Sequence, residues 1–108
     1  MTTLQRVAIL GSTGSIGVST LDVIARHPDR FTVTALSAHS NVDRLREQCL
    51  LHKPAFVVVS SPTDAARLGA ELTSAGLSTR VMVGEHALGE IAAHDQVDVV
   101  MAGIVGAA

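Results

Sequence analysis

Residues 6–24 read RVAILGSTGSIGVSTLDVI. The first five, Arg6 to Leu10, are an apolar run stopped by Gly11, the pattern of a strand buried on both faces. Gly11, Gly14 and Gly17 then follow at intervals of three. Beyond them Gly17, Val18, Leu21, Ile24 and Ala25 fall on one helical face, and Pro28 marks the close of that helix. A strand, a glycine loop and a helix therefore stand in immediate succession. The usual dinucleotide fingerprint is G-x-G-x-x-G at such a junction. Here Gly14 and Gly17 take the last two glycine positions, Ser12 stands at the first, and Gly11 turns the chain one residue earlier. The backbone N–H groups converge at a helix N-terminus, where an anion is favoured. Gly14 lets a pyrophosphate approach the backbone, and Gly17 lets the helix pack tightly on the sheet. Ser12, Thr13 and Ser15 add hydroxyl donors. A Gly/Ser turn of purely structural purpose would use the same residue types, but its place after the first strand favours a nucleotide or dinucleotide cradle.

The same alternation continues along the chain. FTVTALSA (31–38) reads as a second strand, and Asn41 as the N-cap of VDRLREQCLLH, with an apolar stripe of Val42, Leu45 and Cys49. Pro54 introduces a third strand, AFVVVS (55–60). Ser61-Pro62 starts a helix whose stripe is Ala65, Leu68, Leu72 and Ala75, and Gly76 suits its C′ position. RVMV (80–83) is a fourth strand, followed by a helix bearing Leu88, Ile91 and Ala92. VDVVMAGIV (97–105) reads as a fifth. Five strands and four crossover helices predict an α/β fold, a doubly wound parallel sheet of Rossmann type. GIVGAA stops just past a strand end, the edge where such sheets bind ligands, so the chain reads as part of a longer protein.

Composition narrows the function. The 108 residues suit one domain, and with only Phe31 and Phe56 as aromatics the core must be aliphatic. A net charge of −2 without a basic run gives no footprint for nucleic acid. One cysteine, Cys49, precludes an internal disulfide and fits a reducing compartment. The N-terminal apolar run is too short for a signal-peptide core, and none approaches a membrane span. A cytoplasmic protein without a membrane partner is expected. The five histidines have no metal-ligand spacing, Cys49 lies on an apolar stripe, and Asp22, Asp43, Glu47 and Asp64 take helix-surface or cap positions. No catalytic residue and no metal ligand is predicted.

The second strand bears on cofactor choice. A site for NAD places a carboxylate at its end to hold the ribose 2′-hydroxyl. Here the strand runs into His39, Ser40 and Asn41, with no carboxylate to repel a 2′-phosphate. Ser40 and Asn41 can donate to that phosphate, and Arg44 and Arg46 lie one helical turn on. NADP is expected over NAD.

AILGSTGSIGVSTLDVI, ALSAHSNVDRLREQC and VVMAGIVGAA together resemble the N-terminal domain of the 1-deoxy-D-xylulose 5-phosphate reductoisomerase family, in its order and spacing over essentially the whole chain. The resemblance implies that residues 1–108 are one NADPH-binding Rossmann-like domain of a longer enzyme of non-mevalonate isoprenoid biosynthesis. That enzyme isomerises and reduces 1-deoxy-D-xylulose 5-phosphate to 2-C-methyl-D-erythritol 4-phosphate, with Mg²⁺ or Mn²⁺ as Lewis acid. It implies Thr13, Gly14, Ser15 and Ile16 as pyrophosphate and ribose contacts, and His39, Ser40 and Asn41 around the 2′-phosphate. Many members carry Gly-Lys-Asn where this chain has His-Ser-Asn, so the lysine's role falls to His39, Ser40 or Arg44. Gly103 and Ile104 are expected to border the nicotinamide. The family's metal and phosphate ligands lie after position 108, so the 108 residues alone are expected to be inactive. A phosphosugar substrate and a homodimer of the full-length enzyme are implied as partners. The alternatives are the cofactor domain of another NADP-dependent reductase, such as a dihydrodipicolinate reductase or semialdehyde dehydrogenase, and a non-catalytic nucleotide-sensing domain.

Overall fold

Aliphatic residues run almost unbroken through the central strands, so both faces of the sheet must be covered there. In the computed structural model, which describes residues 4–102, they are. The order is β1 (Gln5–Leu10), α1 (Ser15–Ala25), β2 (Phe31–Ser37), α2 (Val42–His52), β3 (Phe56–Val59), α3 (Pro62–Ser74), β4 (Arg80–Val83), α4 (Glu85–Ala92) and β5 (Val99–Ala102). The strands are all parallel, in the spatial order β4-β3-β2-β1-β5. The chain winds outward from β1 to β4, then crosses back to β5 on the other side of β1. That reversal sets the switch point of a doubly wound sheet beside the C-terminal end of β1.

Side-chain alternation assigns the two layers. Val7 and Ile9 of β1, Val57 and Val59 of β3 and Val33 and Leu36 of β2 face α1, α2 and α3, packing on Leu21, Ile24, Leu45, Cys49, Leu68 and Leu72. Ala8, Ala35 and Val58 face the other way, onto Ala87 and Ile91 of α4. Val33 and Leu36 share a face because the ladder with β1 slips by one residue between Val7 and Ala8, where Thr34 intervenes. Leu36, Leu45 and Leu68 are fully buried, so truncation of any to alanine would cost about 2–5 kcal/mol.

The caps agree with the sequence. Asn41 Oδ1 accepts from the Arg44 N–H and Ser61 Oγ from that of Asp64. Gly76, at φ 84°, ends α3 in a Schellman turn: Leu77 N–H donates to the Leu72 carbonyl and Gly76 N–H to that of Thr73. Two expectations need correction. Ala25, Ala75 and Ala92 are exposed rather than core: Ala25 and Ala92 are the last residues of their helices, and Ala75 is the cap that follows α3. The fifth strand begins at Val99 rather than 97, since Asp98 pairs with Arg6 through its side chain: Arg6 N–H donates to Asp98 Oδ2 at 2.9 Å. The remainder of that strand, 103–105, lies outside the described residues.

Candidate functional site: a phosphate loop at the sheet's switch point

The glycine loop leaves β1 through Gly11, whose φ of 76° is a left-handed conformation that other residues adopt only under strain. Two backbone N–H groups tie the loop to the end of β2. Gly11 N–H donates to Ser37 Oγ at 3.0 Å, and Ser12 N–H to the Ser37 carbonyl at 2.8 Å. Gly14 N–H then closes the turn on the Gly11 carbonyl at 3.3 Å. Gly14 is the N-cap of α1 and has no side chain with which to cap it, so no side-chain oxygen takes the first-turn N–H groups. Those of Ser15, Ile16 and Gly17 precede the first intrahelical donor, Val18, whose N–H reaches the Gly14 carbonyl at 2.9 Å. The positive end of the helix dipole therefore opens at the loop. Thr13 is half-buried, whereas Gly14, Ser15 and Ile16 are exposed around this mouth.

Gly17 works differently from its expected role against the sheet. It is buried against the loop itself, and a Cβ there would overlap the Gly11 carbonyl and Ser12 backbone. The loop is thus pressed into the first turn of α1, a cradle that a methyl group would fill.

Ser12 also departs from expectation. Its hydroxyl does not face the loop mouth: the residue is fully buried, and Oγ donates to Oε1 of Gln48 at 2.7 Å, with the Ser37 carbonyl a second, longer acceptor at 3.3 Å. Gln48 Nε2 returns a bond to the Ser12 carbonyl at 2.8 Å. Gln48 escaped the sequence reading because its partner is 36 positions away. A local signal did exist: a glutamine beside Leu45 and Cys49, at the edge of a buried stripe.

His39, Ser40 and Asn41 stand exposed beyond the end of β2. The Ala38 N–H donates to the Val58 carbonyl, and Ser60 Oγ donates to the His39 carbonyl at 2.6 Å, so β3 fixes the base of this loop. Asn41 spends Oδ1 on its cap, leaving its Nδ2 donor for a ligand. Arg44 is exposed on the first turn of α2 and, among the described residues, has no carboxylate partner. Arg46 is not part of the loop: it turns to Glu71 of α3 at 3.6 Å, in a network where Arg67 holds Glu71 and Asp43. The carboxylate nearest the loop in sequence, Asp43, is thereby engaged by Arg67.

Between the loops lies a cavity of about 420 Å³ lined by Gly11, Ser37, His39, Val58, Ser60 and Leu88, among others. It joins the ends of β1, β2 and β3 on the face covered by α4. Cys49 is no nucleophile here, since burial pushes its thiol up to about 12. Among the described residues no three of His, Cys, Asp and Glu gather as metal ligands, and no helix is long and apolar enough to cross a membrane. Gly103 and Ile104 lie outside the described residues.

Comparison with known proteins agrees with this fold. Residues 7–108 match the 1-deoxy-D-xylulose 5-phosphate reductoisomerase family. The reductoisomerase of Pseudomonas putida strain W619 is 55% identical over 108 residues, which are 100% of this chain and 27% of that protein. A crystal structure of DOX-P reductoisomerase in complex with NADPH, fosmidomycin and magnesium is similar with a TM-score of 0.90 at 45% identity, over 96% of this chain and 25% of that one. The Zymomonas mobilis enzyme in complex with NADPH gives 0.85 at 38% identity, over 96% and 27%. The chain spans about a quarter of the length of the relatives it matches. It belongs to the 1-deoxy-D-xylulose 5-phosphate reductoisomerase family.

Proposed function

We propose that residues 1–108 are the NADPH-binding domain of an enzyme that isomerises and reduces 1-deoxy-D-xylulose 5-phosphate to 2-C-methyl-D-erythritol 4-phosphate. The observation that carries this reading is the uncapped N-terminus of α1, opened by Gly14 and sutured to the end of β2 through Ser37. It sets an anion site beside a loop free of carboxylates. When bound, NADPH supplies the hydride that reduces the rearranged aldehyde. The chain's own residues bind and orient. The N–H groups of Ser15 and Ile16, with the Thr13 and Ser15 hydroxyls, hold the pyrophosphate, and Gly14 lets it reach the backbone. Ser40 and Asn41 donate to the 2′-phosphate, with His39 beside them and Arg44 adding charge. The apolar walls of the cavity, Val58 and Leu88, suit the flat adenine. The divalent cation, the phosphosugar and the contacts of a homodimer belong to other parts of the full-length enzyme, which works in the cytoplasm.

Cofactor selection tests this reading. A hydrogen bond to a charged group is worth about 1.5–3 kcal/mol, so two contacts from the loop favour NADPH over NADH by at least tens-fold. Ser40→Asp should reverse the preference, repelling the phosphate and offering the ribose hydroxyl an acceptor. Dissociation constants for both cofactors, measured on both proteins, decide it. A wild type that prefers NADH would refute the assignment.

A further inference from the structure

The hydrogen bonds between Gln48 and Ser12 form a closed ring. The Ser12 carbonyl can only accept, so the amide must present Nε2 to it and Oε1 to the hydroxyl, at 2.8 and 2.7 Å. Ser12 has no exposed surface, and its N–H is already committed to the Ser37 carbonyl. Its backbone position is therefore fixed from two sides, by β2 and by α2. Ser12 in turn underlies Gly17, whose missing Cβ lets it touch the Ser12 backbone. One helix thus governs both halves of the proposed cofactor site. Its N-terminus, at Asn41, carries the loop facing the ribose, and its second turn, at Gln48, grips the loop facing the pyrophosphate.

We propose that Gln48 is the positioning residue of the phosphate loop, a latch from α2 that holds the backbone of the pyrophosphate subsite in place. This rests on the reading of the loop as the NADPH site. Gln48 touches no part of the cofactor; it acts through Ser12. Its loss frees the loop to shift while leaving the 2′ loop's own donors in place. NADPH and NADH, which share the pyrophosphate, must therefore weaken together. The KM for NADPH must rise with kcat at saturating cofactor unchanged, the mark of lost binding common to ground and transition states.

The test is made in the full-length enzyme. Gln48→Leu is apolar and one methylene shorter, and it removes both bonds. Its Kd for NADPH and for NADH should each rise about tenfold, the effect of leaving the buried Ser12 carbonyl without its side-chain donor, with their ratio preserved. Gln48→Glu supplies a second readout should the leucine variant fail to fold. As a carboxylate it accepts from the Ser12 hydroxyl but sets two acceptors face to face at the Ser12 carbonyl. As a neutral acid it donates there again. Its affinity for NADP⁺, relative to wild type at each pH, should recover between about pH 8 and about pH 5, as a half-buried glutamic acid protonates. A side chain that merely packs would lower thermal stability and give no such recovery. Wild-type affinity in folded Gln48→Leu, or a flat relative profile for Gln48→Glu, overturns the latch. A wild type that binds neither cofactor overturns instead the reading on which it rests.

Discussion

Gly17 and Ser12 meet backbone to backbone: a Cβ on Gly17 would stand 2.6 Å from Ser12 Cα and 2.8 Å from its carbonyl carbon. Neither atom can yield without moving the loop. Alanine is normally the better helix former, by about 0.5–1 kcal/mol. At this position overpacking costs about 1–3 kcal/mol and outweighs that gain. Gly17→Ala should therefore lower the urea midpoint and weaken NADPH binding together. A variant more stable than wild type would show that the loop does not press on α1.

Asp98 answers both the backbone N–H and the guanidinium of Arg6, with Nε to Oδ2 at 3.0 Å and Nη2 to Oδ1 at 2.9 Å. These bonds hold its carboxyl at about 2, below its ordinary 3.8. A lowered native value means that the unfolded chain takes up the proton first. The contribution is complete above about pH 4 and is lost as pH falls through about 2. Asp98→Asn should be less stable than wild type at neutral pH, and the gap should close in that acid window. Urea midpoints across the window check this; a constant gap would refute it.

Lys53 follows α2 at φ 50° and ψ 56°, the one non-glycine residue with positive φ among those described. Its N–H donates to the Cys49 carbonyl at 2.8 Å, so the conformation is held by the helix end. Glycine adopts it without the Cβ penalty. Lys53→Gly should stabilise the domain by about 0.5–1 kcal/mol, read as a rise in the thermal midpoint. A loss of stability would contradict the left-handed cap.

Strand and helix order was legible because each strand is a dense aliphatic run and each helix carries a local signal: Asn41 and Ser61 at N-caps, Gly76 at a C′ position. Such signals act over three or four residues, and periodicity records them. The contacts that shape the site act across the fold. Nothing beside Ser12 says that its hydroxyl turns inward, because Gln48 lies 36 residues away. Arg46 read as a neighbour of the 2′ loop by position alone, yet it pairs with Glu71 of α3. The shift at Thr34 is similarly hidden, since a bulge keeps the aliphatic composition and changes only which residues share a face. The family resemblance, carried by GSTGSIG and its flanking segments, supplied the cofactor chemistry.

Gly14 gives the most direct test that the loop is a phosphate cradle. Its φ of −75° and ψ of 170° suit any L-residue, and it is exposed, so Gly14→Val is expected to fold, in contrast to a change at the buried Gly17. The isopropyl group would cover the mouth where pyrophosphate must approach the N–H groups of α1. The measurement is a calorimetric titration of NADPH into wild type and into Gly14→Val, each shown to be folded by circular dichroism. Binding by wild type and its disappearance in the variant is the predicted result. Unchanged affinity in a folded Gly14→Val protein would contradict the phosphate-cradle assignment.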